Sequence, residues 1–302
     1  RVSITLEAGF GIEAVELGRY RQPAAARIDL VLEQARELGM YYMMCMDTHQ
    51  DYRKSGWETN PFNAARGGPC ATPGEWFTSE EARDYYRKRL RYTVARWGYS
   101  PHVLCWEFGN EIQGWAGAKA DDQLAWHAEM SDYLAAIDPF DHLITTSFWG
   151  GHGDARFWDL PNIDIVQSHH YGRPNTSIVP EVVRLCREVR ERWDKPHIFA
   201  EFGISSRGHD GDPEGWALHN AIWAGTMSGC AGSPMPWWHE NYIDPLDLYF
   251  HFTSIANFTR DLPVGTERWE PLEVSAEYQD PDARSVVDDL VIQPVTRWGK
   301  PE

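Results

Sequence analysis

Six short apolar runs, each parted from the next by a long connection or a segment of helical period, predict an α/β chain built as a (β/α)8 TIM barrel of parallel strands. Two further observations support that class. The runs are continuous rather than alternating, as strands covered on both faces are. The 302 residues also exceed the roughly 250 that one such barrel needs.

Taken in order, Ile28, Val31, Leu32, Ala35 and Leu38 recur at steps of three and four, so residues 28–38 read as a helix with Gly39 as its stop. Residues 41–46 form a strand, and 50–77 a long polar loop rich in Gly, Pro and Asn. Thr78 and Glu81 have capping-box spacing and open a helix that runs to Trp97. Strands follow at 103–108, 143–148, 163–167, 198–202 and 234–238, and helices at 121–137, 180–193, 215–228 and 246–258. Pro180 suits a first helical turn. Strand one of the eight is not visible upstream of residue 28. Residues 1–6 read as strand two, so the barrel, assigned to 1–262, is expected to lack its first strand and helix and to be part of a longer protein. Residues 269–277 and 286–295 read as extended, making 263–302 a β-like tail or the start of an accessory β domain.

The composition narrows the partners. With 28 basic and 45 acidic residues the formal net charge is −17, which argues against nucleic acid, since phosphate binding needs clustered Lys and Arg. No run approaches about 18 consecutive apolar residues, so no membrane span is expected. Five cysteines without a C-x-x-C pair argue against a zinc knuckle or a full disulfide framework, although one disulfide stays open. Fifteen tryptophans are more than a core requires, and Trp57, Trp76, Trp106, Trp115, Trp149, Trp158, Trp237 and Trp238 fall beside turn residues, His or Glu. Flat aromatic faces stack on the C–H faces of sugar rings, so a carbohydrate is the expected ligand.

Catalytic groups of such barrels sit at the C-terminal ends of strands. The run ending at Phe108 delivers Asn110 and Glu111, and the run ending near Ala200 delivers Glu201. Other runs deliver Asp47 and His49, then His169, His170 and Tyr171, then Trp237, Trp238, His239 and Glu240. Glu111 and Glu201 are 90 residues apart, or three βα units at about 30 residues each, which puts them on strands four and seven. Two carboxyl groups about 5–5.5 Å apart suit double displacement at an anomeric carbon.

In these strings the chain resembles clan A glycoside hydrolases, in particular the family-5-like cellulases and mannanases. Trp106-Glu107-Phe108-Gly109-Asn110-Glu111 is similar to their strand-four motif, and Phe199-Ala200-Glu201-Phe202-Gly203 to their strand-seven motif. Asp47-Thr48-His49 resembles their Asp-x-His, His169-His170-Tyr171 their His-x-Tyr, and Trp237-Trp238 their strand-eight platform. The matches cover roughly residues 28–260. The resemblance implies a retaining hydrolase of a β-mannan or β-glucan, with Glu111 as acid/base and Glu201 as nucleophile. It implies that Asn110 binds the sugar 2-hydroxyl, Tyr171 bonds Glu201, and His49 and His169 line the sugar site. Trp237 or Trp238, preferably Trp238, stacks beneath the sugar, and Asp47 and Trp106 join the substrate-binding set. The family's strand-two Arg has only Arg1 as a counterpart. A secreted or periplasmic location also follows from the resemblance alone.

Neither cofactor nor metal is expected. His169 and His170, with Asp47 and Glu240, lack metal-ligand spacing. His127, His142 and His219 read as structural, and the 83–91 charge run as a solvated helix face. The alternatives are a non-catalytic carbohydrate-binding barrel, against which both intact Glu motifs speak, and a metal-dependent hydrolase barrel, which would need an early His-x-His that the sequence lacks.

Overall fold

The computed structural model describes residues 12–13, 16–173, 176–205 and 211–263. The strand reading at 1–6, the extended readings at 269–277 and 286–295, and Arg1 lie outside them. The chain divides into two compact units, one of residues 1–148 and 154–165, the other of 149–153 and 166–302.

In the first unit, α1 (Gln22–Leu38) begins well before its apolar period, with proline in the first turn, where a missing N–H costs nothing. Gly39 ends it in the left-handed region at φ 65°. After β1 (Tyr42–Cys45) and the short α2 (Lys54–Thr59) comes α3 (Glu80–Trp97). Its cap is Ser79, not Thr78: the Ser79 hydroxyl accepts from the Ala82 N–H at 3.3 Å. β2 (Val103–Glu107), α4 (Ala120–Ile137) and β3 (Leu143–Thr145) complete the unit. The three strands pair in parallel in the order β1-β2-β3, and Cys45, Glu107 and Thr145 end them side by side. The chain segments that leave those ends therefore lie together. The run expected as a strand over 143–148 stops at Thr145, because Thr146 and Ser147 bend to bond the Gly109 carbonyl.

Many of the tryptophans are core. Trp76 and Trp126 stand 4.7 Å apart, Tyr52 stacks on Trp115 at 4.5 Å, and Tyr86 and Phe77 close the cluster. Trp76, Trp106, Trp115 and Trp158 are buried, so aromatic count alone overstated the sugar-facing surface; Trp149 and Trp237 are exposed.

In the second unit β4 (Val166–Tyr171) pairs in parallel with β5 (His197–Gly203), and α5 (Val179–Arg192), α6 (Trp216–Met227) and α7 (Phe250–Thr259) follow the chain around them. β4 starts later than the apolar run at 163–167 suggests. Asp164 and Ile165 instead bond Ile144 and Thr145 of the first unit, and the ladder continues through His169 and His170. Residues 234–238 form no full strand. Met235 and Trp237 donate to Phe199 and Phe202 of β5, but Pro234 and Pro236 carry no N–H, and a single bridge, Phe202 with Pro236, remains. The helix expected from residue 246 begins only at Phe250, since Asp247 adopts φ 53° and breaks the path. Val182, Leu185, Phe199, Ile222 and Ile243 fill the core of this unit. Among the described residues no helix is long and apolar enough to cross a membrane.

Candidate active site

The first unit presents Glu111 on a turn held from three sides. Past the end of β1 and β2 the pairing continues: Asn110 N–H donates to the Asp47 carbonyl at 2.8 Å, and His49 N–H to the Asn110 carbonyl at 3.1 Å. This fixes His49 beside the carboxylate, with Nδ1 3.2 Å from Asn110 Oδ1 and 3.5 Å from Glu111 Oε2. From the β3 side, Ser147 Oγ accepts the Glu111 N–H at 3.0 Å. Glu111 itself sits at φ 52°, ψ 55°, a left-handed conformation that a glutamate adopts only at a cost of about 1–3 kcal/mol. Gly109 lets the turn pack tightly, since a Cβ there would come within 2.9 Å of the Trp115 ring. Burial and the Arg53 charge hold the His49 imidazole below its ordinary value, so it is neutral at pH 7 and carries one ring N–H.

Beneath this turn lie residues that the sequence did not single out. Arg89 pairs with Asp47, and with Glu13 at 3.4 Å, while the Tyr52 hydroxyl donates to Asp47 Oδ1 at 2.8 Å. Burial pushes the Asp47 carboxyl up to about 7. Asp47 thus underpins the His49 segment rather than reaching a substrate. Arg89 also corrects the reading of 83–91 as a solvated face: it is buried on the same helical stripe as Tyr86, Leu90 and Thr93, a spacing that was the available signal. His127, fully buried, supports the turn from the other side. Its Nδ1 is 2.8 Å from the Gln123 carbonyl and its Nε2 3.2 Å from Thr146 Oγ1, which in turn bonds the Gly109 carbonyl. Trp106, expected in the substrate set, is core: it is fully buried and its indole N–H donates to Asp138 at 2.8 Å.

In the second unit Glu201 lies within β5, opposite His169 of β4 in register. The Tyr171 hydroxyl donates to Glu201 Oε2 at 2.7 Å, and His169 Nδ1 lies 3.5 Å from the same oxygen. An irregularity between Ser168 and His169 sets this pairing. Trp238 packs edge-on above Gly203, where a Cβ would come within 2.7 Å of its indole nitrogen and 3.1 Å of the Tyr171 ring. Its N–H donates to the Ser205 carbonyl at 2.9 Å, which fixes the ring plane. Trp237 is half exposed. The sequence-read residues therefore fall into two sets: Asn110, His49 and Glu111 in one unit, and His169, Tyr171, Glu201 and Trp238 in the other.

A strained turn carrying one carboxylate and a strand carrying another, each with a His and a hydroxyl group against it at a strand end, mark a chain of the α/β-barrel class. Known proteins sharpen that class. The fold is that of a (β/α)8 barrel, of which the described residues cover part, and the chain is similar to clan A glycoside hydrolases of the family-5 kind. It is 27% identical over 212 residues to mannan endo-1,4-beta-mannosidase F of Aspergillus clavatus, covering 63% of this chain and 46% of that relative. The chain thus spans less than half the length of that curated relative. The β-1,4-mannanase of the sea hare Aplysia kurodai superposes with a TM-score of 0.57 at 14% identity, over 82% of this chain and 76% of that one. An exo-β-1,4-mannosidase of an Opitutaceae bacterium, strain TAV5, does so at 0.56 and 15% identity, over 83% of this chain and 52% of that one. No protein-family model matches the chain.

Proposed function

We propose that this chain is the catalytic part of a retaining glycoside hydrolase that cleaves β-1,4-linked mannan through a covalent glycosyl-enzyme. The hydrogen bond from Tyr171 to Glu201 carries the reading. It engages Oε2 and orients the carboxylate for attack on an anomeric carbon. Attack on the anomeric carbon displaces the leaving oxygen, which Glu111 protonates. Glu111 then takes a proton from water as that water frees the sugar from Glu201. The His49 contact to Asn110 Oδ1 turns the Asn110 amide nitrogen into the donor for the sugar 2-hydroxyl. Trp238, its plane fixed by Ser205, forms the platform under the ring. The names of the relatives support mannan over other β-glycans.

The test is hydrolysis of a panel of β-mannan, glucomannan, cellulose and xyloglucan, with the anomer of the first product followed by proton NMR. Mannan is expected to be cleaved fastest, with retained configuration. First-formed inverted product overturns the double displacement, and failure to cleave any of the four overturns the hydrolase reading.

A further inference from the structure

At the opposite end of β5 from Glu201 lies a second cluster of reactive side chains, made by residues from three parts of the second unit. Cys186 comes from the middle of α5, His197 from the first position of β5, and Cys230 from just beyond the end of α6. The Cys186 and Cys230 sulfurs are 3.3 Å apart, and Cys230 Sγ is 3.8 Å from His197 Nδ1. All three ligand atoms lie within 4.8 Å of one another. Sequence spacing gave no hint of this, since the three are 11 and 33 residues apart in the chain.

We propose that Cys186, Cys230 and His197 Nδ1 form a binding site for a soft divalent cation, zinc above all, in a structural role. Ligands at Zn–S about 2.3 Å and Zn–N about 2.05 Å in a tetrahedron are separated by about 3.8 Å between sulfurs and about 3.6 Å between sulfur and nitrogen. The Cys230–His197 distance of 3.8 Å lies close to the second, and the sulfurs at 3.3 Å need to part slightly to admit the ion. The imidazole is also oriented as a ligand must be. His197 Nε2 is 2.8 Å from Ser168 Oγ, a partner for an Nε2–H in the tautomer that turns the Nδ1 lone pair to the sulfurs. The charges balance as well, because two thiolates and a neutral imidazole around a divalent ion sum to zero. Leu185, Phe199 and Ile222 in the surrounding apolar core tolerate a neutral group far better than a charged one. Cys186 and His197 are buried while Cys230 is partly exposed, which leaves solvent access for a water as fourth ligand.

His197 precedes Glu201 by four residues on one strand, a separation on the order of 13 Å. The ion therefore acts on folding and not on bond cleavage. It ties α5 and the turn after α6 to the start of β5, and binding to the folded state alone stabilises that state.

The experiment starts from the reduced, metal-free protein. Titration with Co²⁺ should produce one equivalent of a thiolate-to-cobalt charge-transfer band, which Zn²⁺ then bleaches. Cys186→Ser and Cys230→Ser, both close to isosteric, should fold to the same circular-dichroism spectrum and show no band. Excess Zn²⁺ should raise the wild-type Tm by about 5 °C and leave both variants unmoved. A fully reduced protein that gives no band overturns the site. A Tm rise that persists in both variants does so too, as does a Cys186–Cys230 disulfide recovered from protein kept saturated with Zn²⁺.

Discussion

Glu111 and Glu201 are the same side chain placed by opposite means. Glu201 sits inside a strand whose pairing with β4 fixes its backbone, and Tyr171 and His169 meet its carboxylate. Glu111 sits on a left-handed residue braced by Ser147 and the Thr146–Gly109 contact, and His49 meets its carboxylate. In the proposed mechanism the nucleophile must be held in place, and the hydroxyl donated to Glu201 does this. The proposed proton donor is instead set by a backbone fixed at a strained turn. In the proposed mechanism it is this difference in setting, not the amino-acid type, that separates the two roles.

The largest effect that would break this comparison is loss of the nucleophile. Glu201→Ala should lower kcat on mannan by at least about 10⁴-fold, with azide restoring turnover and giving the inverted glycosyl azide. Glu111→Ala should cost about 10²–10⁴-fold on mannan but spare aryl glycosides with good leaving groups, which need little protonation. Equal losses for both variants on both substrate types would erase the division of labour. Next in size is Tyr171→Phe. Removing one charge-assisted hydrogen bond, about 1.5–3 kcal/mol, should lower kcat roughly 10- to 100-fold with KM little changed; an unchanged kcat would show that the hydroxyl only packs.

The smallest effect at neutral pH concerns the foundation of the Glu111 turn. Full burial depresses His127 to about 4, against an ordinary value near 6.5. Between those values the unfolded chain binds a proton that the native state refuses. Stability is therefore complete above about pH 6.5 and declines as pH falls to about 4, by about 3 kcal/mol from this residue. Urea unfolding at pH 7 and pH 5 should show the decline, and His127→Gln should flatten it. A variant with the wild-type slope would assign the acid sensitivity elsewhere.

The sequence made these centres legible because strand ends in a barrel are marked twice, by the apolar run and by the polar residue that stops it. That rule singled out Asn110, Glu111, Tyr171 and Glu201 as candidates from the sequence alone. It failed where burial and pairing part company. Ile163 is buried without belonging to β4, whereas His169 lies in the ladder though no apolar run predicts it. Apolar character reports dryness, and a ladder needs N–H groups that Pro234 and Pro236 lack. Arg89 was hidden by its charge: a run of charged residues reads as solvent-facing unless the helical stripe is given more weight. Trp106 and Trp115 were over-read because an indole serves a core as well as a sugar. The cluster of Cys186, His197 and Cys230 was invisible because only tertiary structure brings its members together.

The left-handed backbone at Glu111 has a consequence for the protein's descent. That conformation suits glycine, and after it asparagine or aspartate, so a mutation to any of these relieves strain while it removes the proposed proton donor. Selection for stability alone therefore pushes this one position away from glutamate. A lineage released from the need to hydrolyse glycans would drift downhill there, while the second centre, unstrained within β5, would feel no such pull. Idle descendants of this barrel should lose the residue at 111 first and keep Glu201 as a relic.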